Sequence, residues 1–343
     1  VKELIHDFSQ WLAKKSYTAP KVEYYSHIPG MQKWAPVQPT AKFMPSWFRN
    51  LPKIDTGPEQ TLEHHEGMAK ARAIPHGIHP DFNTWGHTIK SCPGMQDILT
   101  LGYTMPFWSN SIISTTHDGK QILTHSPTNG SATNVGNPED ANGDFNIAKG
   151  LEPDSNEVKA YLMGLGYTAE DVGDWREFHK REEVSPSWKT HPESQYSTMI
   201  EHLPDTWCTQ LLKLETQWRV VTPKGWSMLL VDPTFQFNDC IQAVPGVLNT
   251  DYWHESNMFF FVKKKGVQFS MEFGQPLITH IPIKRERLPL ELRQANERDL
   301  ERDKEIFYLH TSQWQGSKAY RLARKALGFK QEKEKGDKCP YKH

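Results

Sequence analysis

Between residues 218 and 284 the apolar positions come in short runs, WRVVTP, GWSMLLVD, DYW, NMFFFVKKK, VQFSMEF and PLITHIPIK, parted by Gly and Pro. Runs of that length, rich in Val, Ile and Phe and bounded by turn formers, predict antiparallel strands. A second β signal lies upstream. Ser111–Thr116 and Gln121–His125 flank Asp118-Gly119, a dipeptide suited to a two-residue hairpin turn. Elsewhere the spacing is helical. Leu4, Ile5, Phe8, Trp11 and Leu12 share one face of an amphipathic N-terminal helix. Residues 61–73 allow a short helix ended by Pro75, and residues 156–165 another ended by Gly166. Thr168-Ala-Glu-Asp171 reads as the N-cap of a helix carrying Val172, Trp175 and Phe178. A further helix is expected over Asp205–Trp218. From Pro289 to Leu327 the text is charged and helical, with Pro289 in the first turn and Leu292, Ala295, Leu300, Ile306, Leu309 and Trp314 as a buried stripe.

Polar text separates these elements. Residues 17–60 carry prolines at 20, 29, 36, 39, 45, 52 and 58, a density that disfavours regular ladders and predicts an extended arm. Residues 126–157 are almost wholly turn formers, and 329–343 reads as a solvated tail. The pattern predicts an α+β protein: an antiparallel jelly-roll or β-clip-like core with N-terminal and C-terminal helices and long loops. Its divisions are a helix and Pro-rich arm at 1–60, a β-rich core at 61–288 with a helical insert at about 155–217, a helical region at 289–328, and the tail.

Composition changes this picture in two ways. Leu, Ile, Val and Phe make up only about a fifth of the 343 residues, close to the disordered range, but 40 basic residues balance 41 acidic ones. Twelve Trp, 16 Phe and 11 Tyr supply the missing burial, so an aromatic core is expected. The neutral balance argues against a general nucleic-acid binder. Lys263-Lys264-Lys265 beside Phe259-Phe260-Phe261 could touch phosphates, but reads more simply as a solvated hairpin tip. No apolar run is long enough to span a membrane, and Val1–Lys15 lacks the apolar stretch of a signal peptide. The four cysteines, at 92, 208, 240 and 339, are scattered and expected to be reduced.

Candidate chemistry is sparse. A divalent metal needs three or four converging ligands, and His76-x-x-His79 with His87 or Glu66 is the set the sequence offers. Pro75 and Pro80 bracket the pair, and no HExxH pattern supports it, so no cofactor is predicted beyond such a metal. Asp140-Ala-Asn142-Gly143-Asp144 lacks the glycine and glutamate positions of a calcium loop. Cys92, in Lys90-Ser-Cys92-Pro-Gly-Met, is the one candidate thiol nucleophile, without an identifiable base. Walker, GxSxG and GxGxxG motifs are absent.

Two groups of segments carry a family resemblance. The first is Thr88-Ile-Lys-Ser-Cys-Pro-Gly-Met-Gln-Asp97 with Leu101-Gly-Tyr-Thr-Met-Pro-Phe-Trp108. The second is Trp218–Ser227, Val244–Tyr252, Gly274–Leu277 and Ile281–Glu286. The ensemble resembles an uncharacterised family of tailed phages, especially marine T4-like cyanophages, with bacterial relatives. The same β block is similar, more distantly, to the trimeric dUTPase and dCTP deaminase pattern. That pattern implies a β-clip binding nucleotides between subunits, with Tyr252 packing on a deoxyribose. Where that family has its water-activating aspartate, this chain has Asn249, and a neutral amide cannot act as a general base.

The expected function is therefore a phage-type virion-associated or assembly protein, with protein partners or self-association, in the host cytoplasm or the virion. Nucleic acid and membrane are not expected partners. The alternative is an enzyme on the β scaffold, a metal-dependent oxygenase or a dUTPase-like nucleotide enzyme. A binding module without catalysis is a third class. A pocket, if present, is expected where Cys92, Trp108, Trp226, Asp251, Tyr252 and His280 converge, with Cys92, Asp251 and His280 as catalytic candidates and Trp108, Trp226 and Tyr252 as ligand-binding ones.

Overall fold

The structure is a computed structural model and describes residues 10–11, 14, 17–51, 89, 92–125, 132–134, 163 and 168–312. The chain divides into two compact units, Val1–Phe43 with Leu101–Arg287, and Met44–Thr100 with Leu288–His343. In chain order the described strands are β1 (Glu23–Tyr25), β2 (Gln38–Pro39), β3 (Tyr103–Pro106), β4 (Ser111–Thr115), β5 (Ile122–His125), β6 (Ala132–Asn134) and β7 (Ser187–Thr190). They continue with β8 (Leu211–Val221), β9 (Trp226–Val231), β10 (Ile241–Ala243), β11 (Gly246–Leu248), β12 (Glu255–Val262), β13 (Gln268–Met271) and β14 (Pro276–Lys284). The described helices are α1 (Met31–Trp34), α2 (Ser46–Asn50), α3 (Pro93–Thr100), α4 (Ala169–His179), α5 (Ser197–Ile200) and α6 (Glu297–Ser312).

All fourteen strands belong to the first unit and form three sheets. Their orders are β1-β8-β12-β10 with β7 also on β8, then β11-β9-β14-β3-β2, then β13-β4-β5-β6. Every pairing among them is antiparallel. The protein is thus α+β with sandwich-like antiparallel sheets. One core serves all three, and it is aromatic: Phe107, Trp108, Trp175, Trp188, Trp218 and Phe260 are buried in a single cluster.

Strand β8 replaces the helix expected over Asp205–Trp218. Leu, Lys and Glu in LLKLETQ favour a helix locally, but Leu212, Leu214, Trp218 and Val220 are buried with period two. Pairing on both edges decides the outcome: β12 lies along one edge, β1 and β7 along the other. A context with two hydrogen-bonded neighbours overrides a weak helical propensity. The Pro-rich segment, expected as an extended arm crossing other elements without regular ladders, does form short ladders. β1 pairs with β8, and β2, on a sheet edge where Pro39 is tolerated, pairs with β3. Asp251-Tyr252-Trp253, read as a strand, is a turn in which the Tyr252 and Trp253 amides both reach the Asn249 carbonyl, at 3.2 and 3.0 Å.

Other expectations hold. β4 and β5 form the hairpin around Asp118-Gly119, although only Gly119 has a positive φ, so the turn is a longer loop closed by Thr116 N to Gln121 O at 3.1 Å. Thr168 and Asp171 cap α4 reciprocally: the Asp171 amide reaches Thr168 Oγ1 at 3.1 Å and the Thr168 amide reaches Asp171 Oδ2 at 3.0 Å. Val172, Trp175 and Phe178 are buried as predicted. The helices expected at the N-terminus and over 61–73 and 156–165 lie largely or wholly outside the described residues.

In the second unit, helix α6 begins at Glu297 instead of Pro289. Asn296 and Asp299 form a capping box, each amide reaching the other's side chain at 3.0 Å, and this signal outweighs a proline in first-turn position. Arg293 adds an ion pair to Asp299, which holds that carboxyl at about 2. Residues 285–296 form no helix or strand, so Leu292, placed by the sequence in a buried stripe, is exposed, as is Leu300.

Helix α4 also buries a polar group without a partner. His179 packs edge-on against Trp175, Phe178 and Phe273 at ring-centroid distances of 4.2, 5.1 and 5.4 Å. Neither of its ring nitrogens has a hydrogen-bond partner among the described residues, and burial lowers its pKa to about 3. The folded chain holds this imidazole neutral while the unfolded chain takes up a proton, so stability falls as pH drops through about 6.5 and continues to fall toward 3. His179→Phe should raise the free energy of unfolding at pH 7 by about 1–3 kcal/mol, because it removes two orphaned polar atoms. It should also flatten the acid slope. Urea melts from pH 7 to pH 4 check both effects, and a destabilised variant with an unchanged slope would contradict the assignment.

Candidate functional site

Of the residues singled out by sequence, Trp226, Asp251 and Tyr252 are brought together in the first unit, around a residue the sequence reading did not single out, Arg285. Thr222-Pro-Lys-Gly225 turns the chain into β9, with Gly225 at a φ of 84° that a side chain would disfavour. The Gly225 amide donates to Asp251 Oδ2 at 3.0 Å, and the hydroxyls of Thr222 and Thr250 meet at 2.8 Å. Directly after β14, the Arg285 amide donates to the Gly225 carbonyl at 2.9 Å. Its guanidinium then spreads over the cluster. Nη1 reaches Asp251 Oδ1 at 2.8 Å, Ser227 Oγ at 3.1 Å, the Trp226 carbonyl at 3.2 Å and Asn249 Oδ1 at 3.3 Å, while Nη2 donates to Asp251 Oδ2.

The fork geometry of arginine suits this arrangement, since it presents parallel donors to a carboxylate. Burial by itself would raise the Asp251 carboxyl, but the hydrogen bonds from Arg285 and Gly225 outweigh it and hold the group below its ordinary range. Asp251 in turn raises the Arg285 guanidinium. The Asn249 amide closes the ring: its Oδ1 accepts from Ser227 Oγ at 2.8 Å and its Nδ2 donates to the Tyr252 hydroxyl at 3.1 Å. Both carboxylate oxygens are thus committed to the guanidinium. The cluster acts as a clasp that ties three chain segments together, and Tyr252 and Trp253 are exposed beside it.

The remaining candidates lie apart from the clasp. Trp108 is a core residue whose indole N–H donates to the Val184 carbonyl at 2.8 Å. His280 is wholly buried. Its Nδ1 meets the Tyr24 hydroxyl at 3.0 Å and its Nε2 meets Ser256 Oγ at 3.3 Å, which joins β14 of one five-stranded sheet to β1 and β12 of the other. Burial lowers this imidazole to about 4 and raises the Tyr24 phenol well above its usual value, so both are neutral. A neutral imidazole has one donor and one acceptor nitrogen, and here each is used. Cys92 belongs to the second unit, exposed, just before α3. His76, His79 and His87 lie outside the described residues.

Cys92, Cys208 and Cys240 are free thiols. Among the described residues no cluster of three or more His, Cys, Asp or Glu could hold a metal ion, and no helix is long and apolar enough to cross a membrane. The most conspicuous surface feature is in the second unit. Leu288, Leu290 and Leu292 are 85, 84 and 86% exposed along a stretch that forms neither helix nor strand.

The clasp makes a measurable claim about coupling. In a double-mutant cycle of Asp251→Asn and Arg285→Gln, urea denaturation should return an interaction energy of about 1–3 kcal/mol, the range for contacting charged partners. Additive losses would show that the pair contributes nothing beyond its separate contacts. Compared with family models, curated proteins and solved structures, the chain finds no match in any of the three.

Proposed function

We propose that this chain is a phage-type assembly or interaction protein, and that residues 288–292 are its docking element toward a second copy of the chain. The observation that carries this reading is the leucine row. Laid along a strand, side chains at i, i+2 and i+4 share one face, so on docking in that form Leu288, Leu290 and Leu292 would present three isobutyl groups side by side, with Pro289 and Glu291 on the opposite face. Burying each is favourable by roughly 1.5–3 kcal/mol, a large reward for any surface that covers all three.

Position along the chain adds support. Arg285 anchors the clasp before the row, and Arg293 is paired with Asp299 after it. An extended apolar segment of this kind suits addition to a sheet edge, where alternate side chains fill pockets. The resemblance of residues 88–108 and 218–286 to a tailed-phage family supports a setting in which many copies assemble, in the host cytoplasm or the virion. The alternative of an enzyme with dUTPase-like chemistry has no comparable observation behind it, since Asn249 and Tyr252 are bonded to each other within the clasp.

Sedimentation of the wild-type chain and of the triple variant Leu288→Ser, Leu290→Ser, Leu292→Ser tests the reading. The wild type should self-associate with rising concentration, and the variant should remain monomeric with unchanged circular dichroism and melting temperature. A wild type that is monomeric at every concentration would overturn self-association. Equal association of the variant would remove the leucine row from it.

A further inference from the structure

A cavity of about 260 Å³ opens in the first unit, lined by the loop from Asp232 to Cys240, by Phe269 of β13, by Leu277 of β14 and by Gln275 in the turn between those strands. The loop is unusual. Phe235 and Phe237 have φ values of 56° and 51°, and they are the non-glycine residues with positive φ among those described. A phenylalanine in the left-handed region is strained, and such strain persists only where surrounding contacts enforce it. They do so here. Asn238 Oδ1 accepts the amides of Cys240 and Ile241 at 2.9 and 3.0 Å, and its carbonyl takes the Lys263 ammonium. Gln236 Nε2 donates to the Phe43 carbonyl. The wall of the cavity is therefore fixed in shape, which lowers the cost of binding.

Its chemistry is one-sided. Asp232 Oδ1 accepts the Ala243 amide at 2.8 Å, while its Oδ2 accepts no hydrogen bond among the described residues. No Lys or Arg lines the cavity. The two ammonium groups nearby are engaged, Lys263 with the Asn238 carbonyl and Lys264 with Asp239. Apolar surface from Phe269, Leu277 and Ile241 completes the lining. A half-buried carboxylate without a cationic partner favours either a proton or a bound cation. In keeping with this, burial raises the Asp232 carboxyl, against the lowering by the Ala243 amide and the charge of Lys263.

We infer that this cavity is a binding site for a small organic ammonium ion, its charged head on Asp232 and its apolar body against Phe269 and Leu277. An anion would meet the carboxylate of Asp232, and a wholly apolar guest would leave Asp232 desolvated.

Benzylammonium chloride is a suitable probe and benzyl alcohol its uncharged match, with binding read by calorimetry on the full chain. Asp232→Asn keeps the acceptor for the Ala243 amide but removes the charge. Ser270→Trp, on β13 at the cavity, obstructs it without touching the carboxylate. Benzylammonium should bind the wild type and protect Cys240, which also lines the cavity, from alkylation. Each variant should weaken binding by about tenfold or more, the scale of one charge-assisted contact. Benzyl alcohol should bind more weakly by a similar factor. The inference is overturned if benzylammonium leaves the wild type unbound, if a folded Asp232→Asn variant binds equally well, or if Cys240 stays unprotected.

Discussion

Strand β8 is hydrogen-bonded along both edges, and most of the first unit follows from that constraint. Side chains alternate along a strand, so a slip of one residue would turn Leu212, Leu214, Trp218 and Val220 out of the core together. With β8 locked in register, β1 is set with Tyr24 opposite Val220, and β12 with Glu255 opposite Arg219 and Asn257 opposite Glu215. Those two pairings place Tyr24 and Ser256 where His280 of the second five-stranded sheet can bond to both. The imidazole joins the sheets as a neutral group with no unmet nitrogen. His179 shows the opposite case, an imidazole buried among rings with neither nitrogen met. Depth of burial is similar; what differs is whether a neighbouring strand supplies a partner.

The same contrast separates two carboxylates. Asp251 and Asp232 both lose solvation, yet their titration moves in opposite directions. Asp251 receives a guanidinium fork and a backbone amide, which outweigh burial. Asp232 receives one backbone amide and the more distant charge of Lys263, which do not. A carboxylate whose charge is already matched acts as a structural tie. One whose charge is unmatched, beside a cavity with a rigid wall, retains binding capacity for something outside the protein.

How much of this was legible in the sequence depended on how local each cause is. The Thr168–Asp171 cap and the Val172, Trp175, Phe178 face are written within eleven residues and were readable. So were the β4–β5 hairpin and the aromatic core, the latter because a chain poor in aliphatics has little else to bury. The Asp205–Trp218 segment reads as a helix because its leucines, lysine and glutamate satisfy helical preferences, while the partners that make it a strand lie at 23–25, 187–190 and 255–262. Trp226, Asp251 and Tyr252 of the clasp are candidates from sequence, but Arg285 is not, since its role requires segments 222–227 and 249–252 to meet beyond the end of β14. The cavity loop was invisible for another reason. Positive φ is ordinarily signalled by Gly or Asn, and here it falls on two phenylalanines.

The leucine row can be argued from the same local rules. Proline at 289 disfavours helical backbone at Leu288 and pushes it toward β or polyproline II geometry. At the other end, the Asn296–Asp299 box starts α6 and Arg293 is tied to Asp299, which prevents the helix from growing backward over Leu292. Had the helix begun at Pro289, Leu288, Leu290 and Leu292 would fan out around its axis, since residues two apart point about 200° from each other. A strand, by contrast, would line them up on one face. The capping box therefore does more than start a helix: it leaves three exposed leucines outside that helix, in a chain where only about a fifth of the residues are Leu, Ile, Val or Phe.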